Sequence, residues 1–121
     1  MGKKVIVIDD SQTVRQQVGL ALTQAGFEVI EACDGKAGLE TIQRTTDAAM
    51  AICDVNMPRM NGIEMLEALA ATGSKLPVLM LTTEGQPALV QRARKSGASG
   101  WIVKPFKADI LVATVKKLTA A

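Results

Sequence analysis

Asp9, Asp10, Asp54 and Lys104 are the residues of this 121-residue sequence best placed to do chemistry. Each follows directly on a short apolar run. Val5-Ile6-Val7-Ile8 precedes Asp9 and Asp10, Met50-Ala51-Ile52-Cys53 precedes Asp54, and Trp101-Ile102-Val103 precedes Lys104. Runs this apolar that end this abruptly read as buried parallel strands delivering side chains to one edge of a sheet. Gathering carboxylates there is costly. Two of them about 4 Å apart repel by roughly 4 kcal/mol at an effective dielectric of about 20. A bound cation removes that repulsion, and an all-oxygen ligand set suits a hard ion such as Mg²⁺. The pattern predicts a metal-assisted acidic site.

The elements that must position these residues are legible in the alternation of short apolar runs with stretches of helical period. Strands are expected near 4–9, 28–33, 49–54, 77–82 and 100–104. Helices are expected over about 12–25, 35–44, 62–72, 87–96 and 108–119. The first repeats Val14, Val18, Ala21, Leu22 and Ala25 before Gly26 stops it. The second carries Ala37, Leu39 and Ile42 behind Asp34 as N-cap. The third follows Asn61 with Glu64 three residues on, close to a capping box, and buries Ile63, Leu66, Leu69 and Ala70 before Gly73. The fourth opens at Pro87, shows Leu89, Val90 and Ala93, and ends at Gly97, while the fifth shows Ile110, Leu111, Val115 and Leu118. Five such repeats mean an α/β fold with a parallel sheet and helices on both faces. Ligands of such sheets bind beyond the carboxyl ends of the strands, where Asp10, Asp54, Thr82 and Lys104 would converge.

Composition narrows the function classes. Hydrophobic residues make up 48% of the chain but aromatic ones only 2%, so the core is expected to be aliphatic. The length suits one domain, residues 1–121, with nothing that reads as a linker or repeat. No apolar stretch approaches the roughly 20 residues that cross a bilayer, and Met1-Gly2-Lys3-Lys4 leads into a strand rather than a signal-peptide core. A cytoplasmic protein without a membrane partner is expected. Cys33 and Cys53 are expected to be free, buried thiols. The chain contains no His, which removes Ser–His and Cys–His catalysis and makes a zinc site improbable.

Three stretches sharpen the reading. Asp9-Asp10 alone could be a solvated loop or the cap of the next helix. In Asp54-Val55-Asn56-Met57-Pro58-Arg59-Met60-Asn61-Gly62 an acid leaves a buried strand, a proline fixes the loop and Asn-Gly opens a helix. In Lys104-Pro105 the proline ends the strand, and a cis bond there would aim the lysine inward. With Leu81-Thr82 and Gly100 through Phe106, in this order and spacing, the chain resembles the receiver domain of two-component response regulators over its whole length. The likeness is greatest to the single-domain, CheY-type chemotaxis regulators.

That resemblance implies a flavodoxin-like sheet of order 2-1-3-4-5 with five helices. It implies that Asp54 is the phosphoacceptor, that Asp9 and Asp10 are the acidic Mg²⁺ pair, with Asp10 ligating directly and Asp9 through water, and that Asn56 offers its backbone carbonyl to the metal. Thr82 and Lys104 would bind phosphoryl oxygens. Asn56 and Glu84, two residues after Asp54 and Thr82, resemble the pair that modulates hydrolysis in the chemotaxis type. Trp101 stands at the switch-aromatic position, where Tyr or Phe is usual, and its N–H needs a partner when buried. The implied protein is a phosphorylation-switched module, not an enzyme acting on a separate substrate. Its partners would be a sensor histidine kinase and a protein target on the face formed by the fourth helix, fifth strand and fifth helix, with the chain itself a monomer.

Charge agrees with such a face. From Glu84 to Ala121 seven basic residues oppose two acidic ones, net +5, whereas the first 83 residues are net −3. Solvated helix faces or a basic surface steering an acidic partner would both account for this. DNA binding is not expected, since the net charge is only +2 and there is no appended helix-turn-helix. Within the family, a phosphorelay intermediate is the rival reading. A haloacid-dehalogenase-type phosphohydrolase also uses Asp and Mg²⁺ but places a DxD pair after its first strand, whereas here Asp9 and Asp10 are adjacent. A flavodoxin would need a Ser/Thr-rich phosphate loop in place of that acidic one.

Overall fold

Apolar side chains leave the strands alternately to either side, as a sheet covered on both faces requires. In the computed structural model, which describes residues 2–55, 57, 60–82 and 87–120, strands β1 (Lys4–Ile8), β2 (Glu28–Ala32), β3 (Ala48–Cys53), β4 (Val78–Thr82) and β5 (Gly100–Val103) alternate with helices α1 (Gln12–Gln24), α2 (Gly35–Arg44), α3 (Gly62–Ala71), α4 (Pro87–Lys95) and α5 (Ala108–Thr119). The strands form one parallel sheet in the order β2-β1-β3-β4-β5. This is the flavodoxin-like order that the resemblance implies.

Two aliphatic layers sandwich the sheet. Val5, Val7, Met50, Ile52, Leu79 and Leu81 meet Val18 and Leu22 of α1 and Leu111 and Val115 of α5. On the other face Ile6, Ile8, Ala51, Cys53, Val78 and Met80 meet Ile42 of α2, Ile63, Met65, Leu66 and Leu69 of α3, and Ala93 of α4. Burying such a side chain contributes roughly 1.5–3 kcal/mol, so β1, β3 and β4, buried on both sides, are the rigid part of the molecule.

Helix ends follow local chemistry. Ser11 caps α1 by accepting the Val14 N–H, so neither Asp9 nor Asp10 serves as that cap. Asp34 caps α2 through Ala37, and Asn61 with Glu64 forms a complete capping box on α3. Gly26, Gly73 and Gly97, each at positive φ, follow the ends of α1, α3 and α4.

Four expectations need correcting. β1, β2, β3 and β5 each stop one residue before the expected end; Asp9, Asp54 and Lys104 lie just past the strand ends and still donate an N–H to the neighbouring strand. Cys33 is exposed, unlike Cys53, since it follows an edge strand just where the chain enters the Asp34 cap. Ala70 is exposed and Met65 is buried instead: the face of α3 that meets the sheet runs through Met65, Leu66 and Leu69, and Ala70 lies about 100° round the helix from Leu69. Ile110 is 52% exposed. The core stripe of α5 runs through Leu111, Val115 and Leu118, and position 110 lies about 100° round the helix from it.

Candidate functional site

Register places the acids side by side. Ile8 pairs with Cys53 across β1 and β3, so the next residues, Asp9 and Asp54, leave adjacent strands at the same level, and the Asp54 N–H still donates to the Ile8 carbonyl at 3.0 Å. Asp9, Asp10 and Asp54 each offer a carboxylate oxygen, all within 4.8 Å of one another. Asp9 and Asp54 are buried, at 2% and 6% exposure, whereas Asp10 faces solvent.

Lys104 closes the site from the other side. Thr82 pairs with Val103 across β4 and β5, the Lys104 N–H donates to the Thr82 carbonyl at 2.7 Å, and the Lys104-Pro105 bond is cis. The lysine Nζ lies 2.9 Å from Asp9 Oδ2 and 3.4 Å from Asp54 Oδ2. Burial, the largest single influence on Lys104, by itself lowers its pKa. The Asp9 hydrogen bond and the charges of Asp54 and Asp9 together outweigh it, and the ammonium is held above the ordinary lysine value. Behind Asp54, burial first and then the charges of Asp54 and Asp9 push the Cys53 thiol far up, so it stays neutral and inert.

Both oxygens of Asp9 are engaged, since Oδ1 accepts the Ser11 N–H at 2.9 Å while Oδ2 takes the lysine. Thr82 ends β4 fully buried. Trp101 pairs with Met80 in register and packs, half-buried, on the α2–α3–α4 side of the sheet. Its Nε1 is buried and finds no acceptor among the described residues. Asn56 and Glu84 lie outside the described residues.

Two kinds of residue escaped the sequence reading. Arg15, in the first turns of α1, donates through Nη1 to the Asp9 carbonyl and through Nε to Glu31 at 3.0 Å. It thus ties the acidic turn to the edge strand. Its spacing of six from Asp9 was the available signal. Gly62 was read only as a helix opener, yet a Cβ there would stand 2.1 Å from the Asp54 carbonyl oxygen, so only glycine lets α3 begin this close to the acid.

A hard cation fits this donor set. The three carboxylates supply only oxygen ligands at short mutual range, and they already draw in an ammonium group. The carboxyl edge of a doubly wound parallel sheet, where this cluster lies, is where such sheets bind their ligands. The comparisons give the chain its family. The response regulator receiver domain model matches residues 5–116, and the chain belongs to that family, a class of signalling modules. It is 38% identical to chemotaxis protein CheY1 of Helicobacter pylori over 89% of this chain and 90% of that one. It is 32% identical to chemotaxis protein CheY of Thermotoga maritima over 98% and 99%. The solved structure of Vibrio cholerae chemotaxis protein CheY4 superposes with a TM-score of 0.90 at 40% identity, covering 98% of this chain and 99% of that one. No helix among the described residues is long and apolar enough to cross a membrane.

Proposed function

We propose that the protein is a stand-alone, cytoplasmic response regulator of chemotaxis that takes a phosphoryl group from the phosphohistidine of a sensor kinase onto Asp54. The observation that carries this reading is the convergence of Asp9, Asp10 and Asp54 within 4.8 Å, with Lys104 reaching two of them. The names of the relatives support the chemotaxis setting.

In this reading an Asp54 carboxylate oxygen attacks phosphorus. The new O–P bond forms as the N–P bond to the donor histidine breaks, and the departing imidazole keeps the electron pair. Mg²⁺, held by Asp9, Asp10, Asp54 and the Asn56 carbonyl, would supply positive charge to the phosphoryl oxygens when bound. Asp10, exposed and not committed to Lys104, is the direct ligand. Asp9, with both oxygens engaged, acts through water. Lys104 then exchanges part of its carboxylate pairing for a phosphoryl oxygen, and the Thr82 hydroxyl donates to another. Both stand where β4 and β5 end, so their movement is passed to Trp101 and the α4–β5–α5 face. Val103 and Ile110, 47% and 52% exposed, give that face apolar anchors for a protein partner. The module is monomeric and comprises residues 1–121, with Glu84 and Asn56 setting hydrolysis.

The test is labelling with a small-molecule phosphodonor or beryllofluoride in Mg²⁺. Wild type is expected to be modified at Asp54 alone, and folded Asp54→Asn not at all. Undiminished labelling of Asp54→Asn, or label mapped to Asp9, refutes the assignment and revives the phosphohydrolase reading.

A further inference from the structure

Gly35, the first residue of α2, belongs to neither the acidic cluster nor its lysine, yet its backbone lies against the loop that leaves Asp54. Its N–H donates to the Met60 carbonyl at 3.1 Å. A Cβ built on Gly35 would stand 2.1 Å from that oxygen and 2.8 Å from its carbon, both backbone atoms that cannot rotate away. One turn further along α2, a Cβ on Gly38 would lie 2.7, 2.8 and 2.9 Å from three side-chain carbons of Ile8, the residue before Asp9. Positions three apart share a helix face. The first turn of α2 therefore bears at once on the strand end that carries Asp9 and on the loop that follows Asp54.

The described residues between Asp54 and Gly62 are held so that this contact matters. At the far end of the loop the Gly62 N–H donates to the Val55 carbonyl at 3.0 Å. In between, Val55 and Met57 are buried and Met60 packs on the same cluster. The start of α2 is fixed at Gly35 by the buried Asp34, whose Oδ1 accepts the Ala37 N–H at 2.8 Å. Gly62, two residues after Met60, is packed directly on the Asp54 carbonyl, which a Cβ there would meet at 2.1 Å, so a displacement at Met60 reaches Asp54 through Asn61 and Gly62.

We propose that Gly35 is a positioning residue: through its backbone contact with Met60 it sets where Met60, Asn61 and Gly62 lie against Asp54 and Val55, and thereby the affinity of the acidic site for a divalent cation. The inference rests on the reading of Asp9, Asp10 and Asp54 as a Mg²⁺ site. Helix propensity alone argues the opposite outcome, since Ala is the better helix residue. Gly35→Ala separates the two, with Gly19→Ala as control, because a Cβ on Gly19 meets only Val29 Cγ1, at 3.7 Å.

Mg²⁺ titrations followed by backbone amide NMR are the measurement. Gly35→Ala is expected to weaken Mg²⁺ binding about tenfold, the scale of outer-shell substitutions at metal sites. It should also displace the metal-free amides of Asp54, Val55 and Gly62, while Gly19→Ala does neither. Coupling is reciprocal, so saturating Mg²⁺ should slow exchange of the wild-type Gly35 amide. Unchanged affinity together with unshifted metal-free amides in Gly35→Ala overturns the proposal. If Gly35→Ala does not fold, the wild-type exchange arm decides, and exchange indifferent to Mg²⁺ overturns it. If wild type takes up no Mg²⁺, the reading of the acidic site falls instead, and the metal-free shifts alone decide whether Gly35 positions the loop.

Discussion

Lys104→Met keeps the apolar stem of the side chain and removes its charged end, so its effect isolates what the ammonium does before any phosphoryl group arrives. At 2.9 and 3.4 Å from two carboxylate oxygens, and at an effective dielectric of about 20, the gross attractions are each about 5–6 kcal/mol. Those do not measure the net effect, because removing three charges from water costs several kcal/mol per ion. The asymmetry is what counts. Taking away one partner of a buried pair leaves the other desolvated, at a cost of about 3–5 kcal/mol, and here two carboxylates are left facing each other. The lysine side chain keeps 15% exposure, so water reaches the site and the low end, about 3 kcal/mol, is expected. For a chain of 121 residues this corresponds to a fall in melting temperature of about 12 °C.

Mg²⁺ and Lys104 neutralise the same carboxylates, so the variant should gain more from the metal than wild type does. Its Mg²⁺ affinity should rise by about tenfold, which is about 1.4 kcal/mol of linked stability at saturation. Thermal and denaturant unfolding of both proteins, in chelator and in excess Mg²⁺, measures all four states. A loss in chelator below about 1 kcal/mol, the range of a solvated surface pair, or a Mg²⁺ affinity that falls, refutes the reasoning.

Asp10→Asn should act in the opposite sense: with the exposed acid neutralised, the metal-free melting temperature rises by a few degrees, about 1 kcal/mol after solvent screening, while Mg²⁺ affinity drops. A lower melting temperature in chelator means Asp10 supports the fold. A thiol reagent at neutral pH should modify one cysteine, Cys33, in the native protein and both in denaturant, and native modification of Cys53 refutes its burial. Trp101 emission should respond little to Mg²⁺ alone and clearly to added beryllofluoride, with Asp54→Asn unresponsive. An unchanged signal at proven full occupancy means that this aromatic position does not report the switch.

The parts of the site most legible in sequence are those that depend on single strands. A charged residue that ends a run of three or four apolar ones marks the edge of the sheet, and which edge is settled once the strands are parallel. Asp9, Asp54 and Lys104 could therefore be placed together although 45 and 50 residues separate them along the chain. The caps at Asp34 and Asn61 were legible for the same reason, because each is written in a few adjacent residues. Side-chain burial at helix ends was less so. Ile110 and Ala70 carry the right chemistry for the core, but the direction each faces depends on where its helix crosses the sheet.

What no periodicity expresses is contact made by the absence of a side chain. Gly62 and Gly35 read in sequence as a helix opener and a residue behind a cap, two descriptions that would tolerate alanine. Their common role emerges only when α2 and α3 lie side by side, with their first residues 2.1 Å from backbone oxygens of the loop that joins β3 to α3 once a Cβ is imagined on either. The electrostatic part of the site behaves in the same way. Charge counting along the sequence finds crowded acids and infers a cation, but it is the pairing of Lys104 with Asp9 and Asp54 that shows how the chain itself relieves that crowding. The lysine that a phosphoryl group would recruit is thus already bound to Asp54, the acid proposed to receive it, and to its neighbour Asp9. Any ligand that takes Lys104 from Asp9 must leave that buried carboxylate satisfied by other charge, and in the proposed reading this is what would link filling the site to movement at the end of β5.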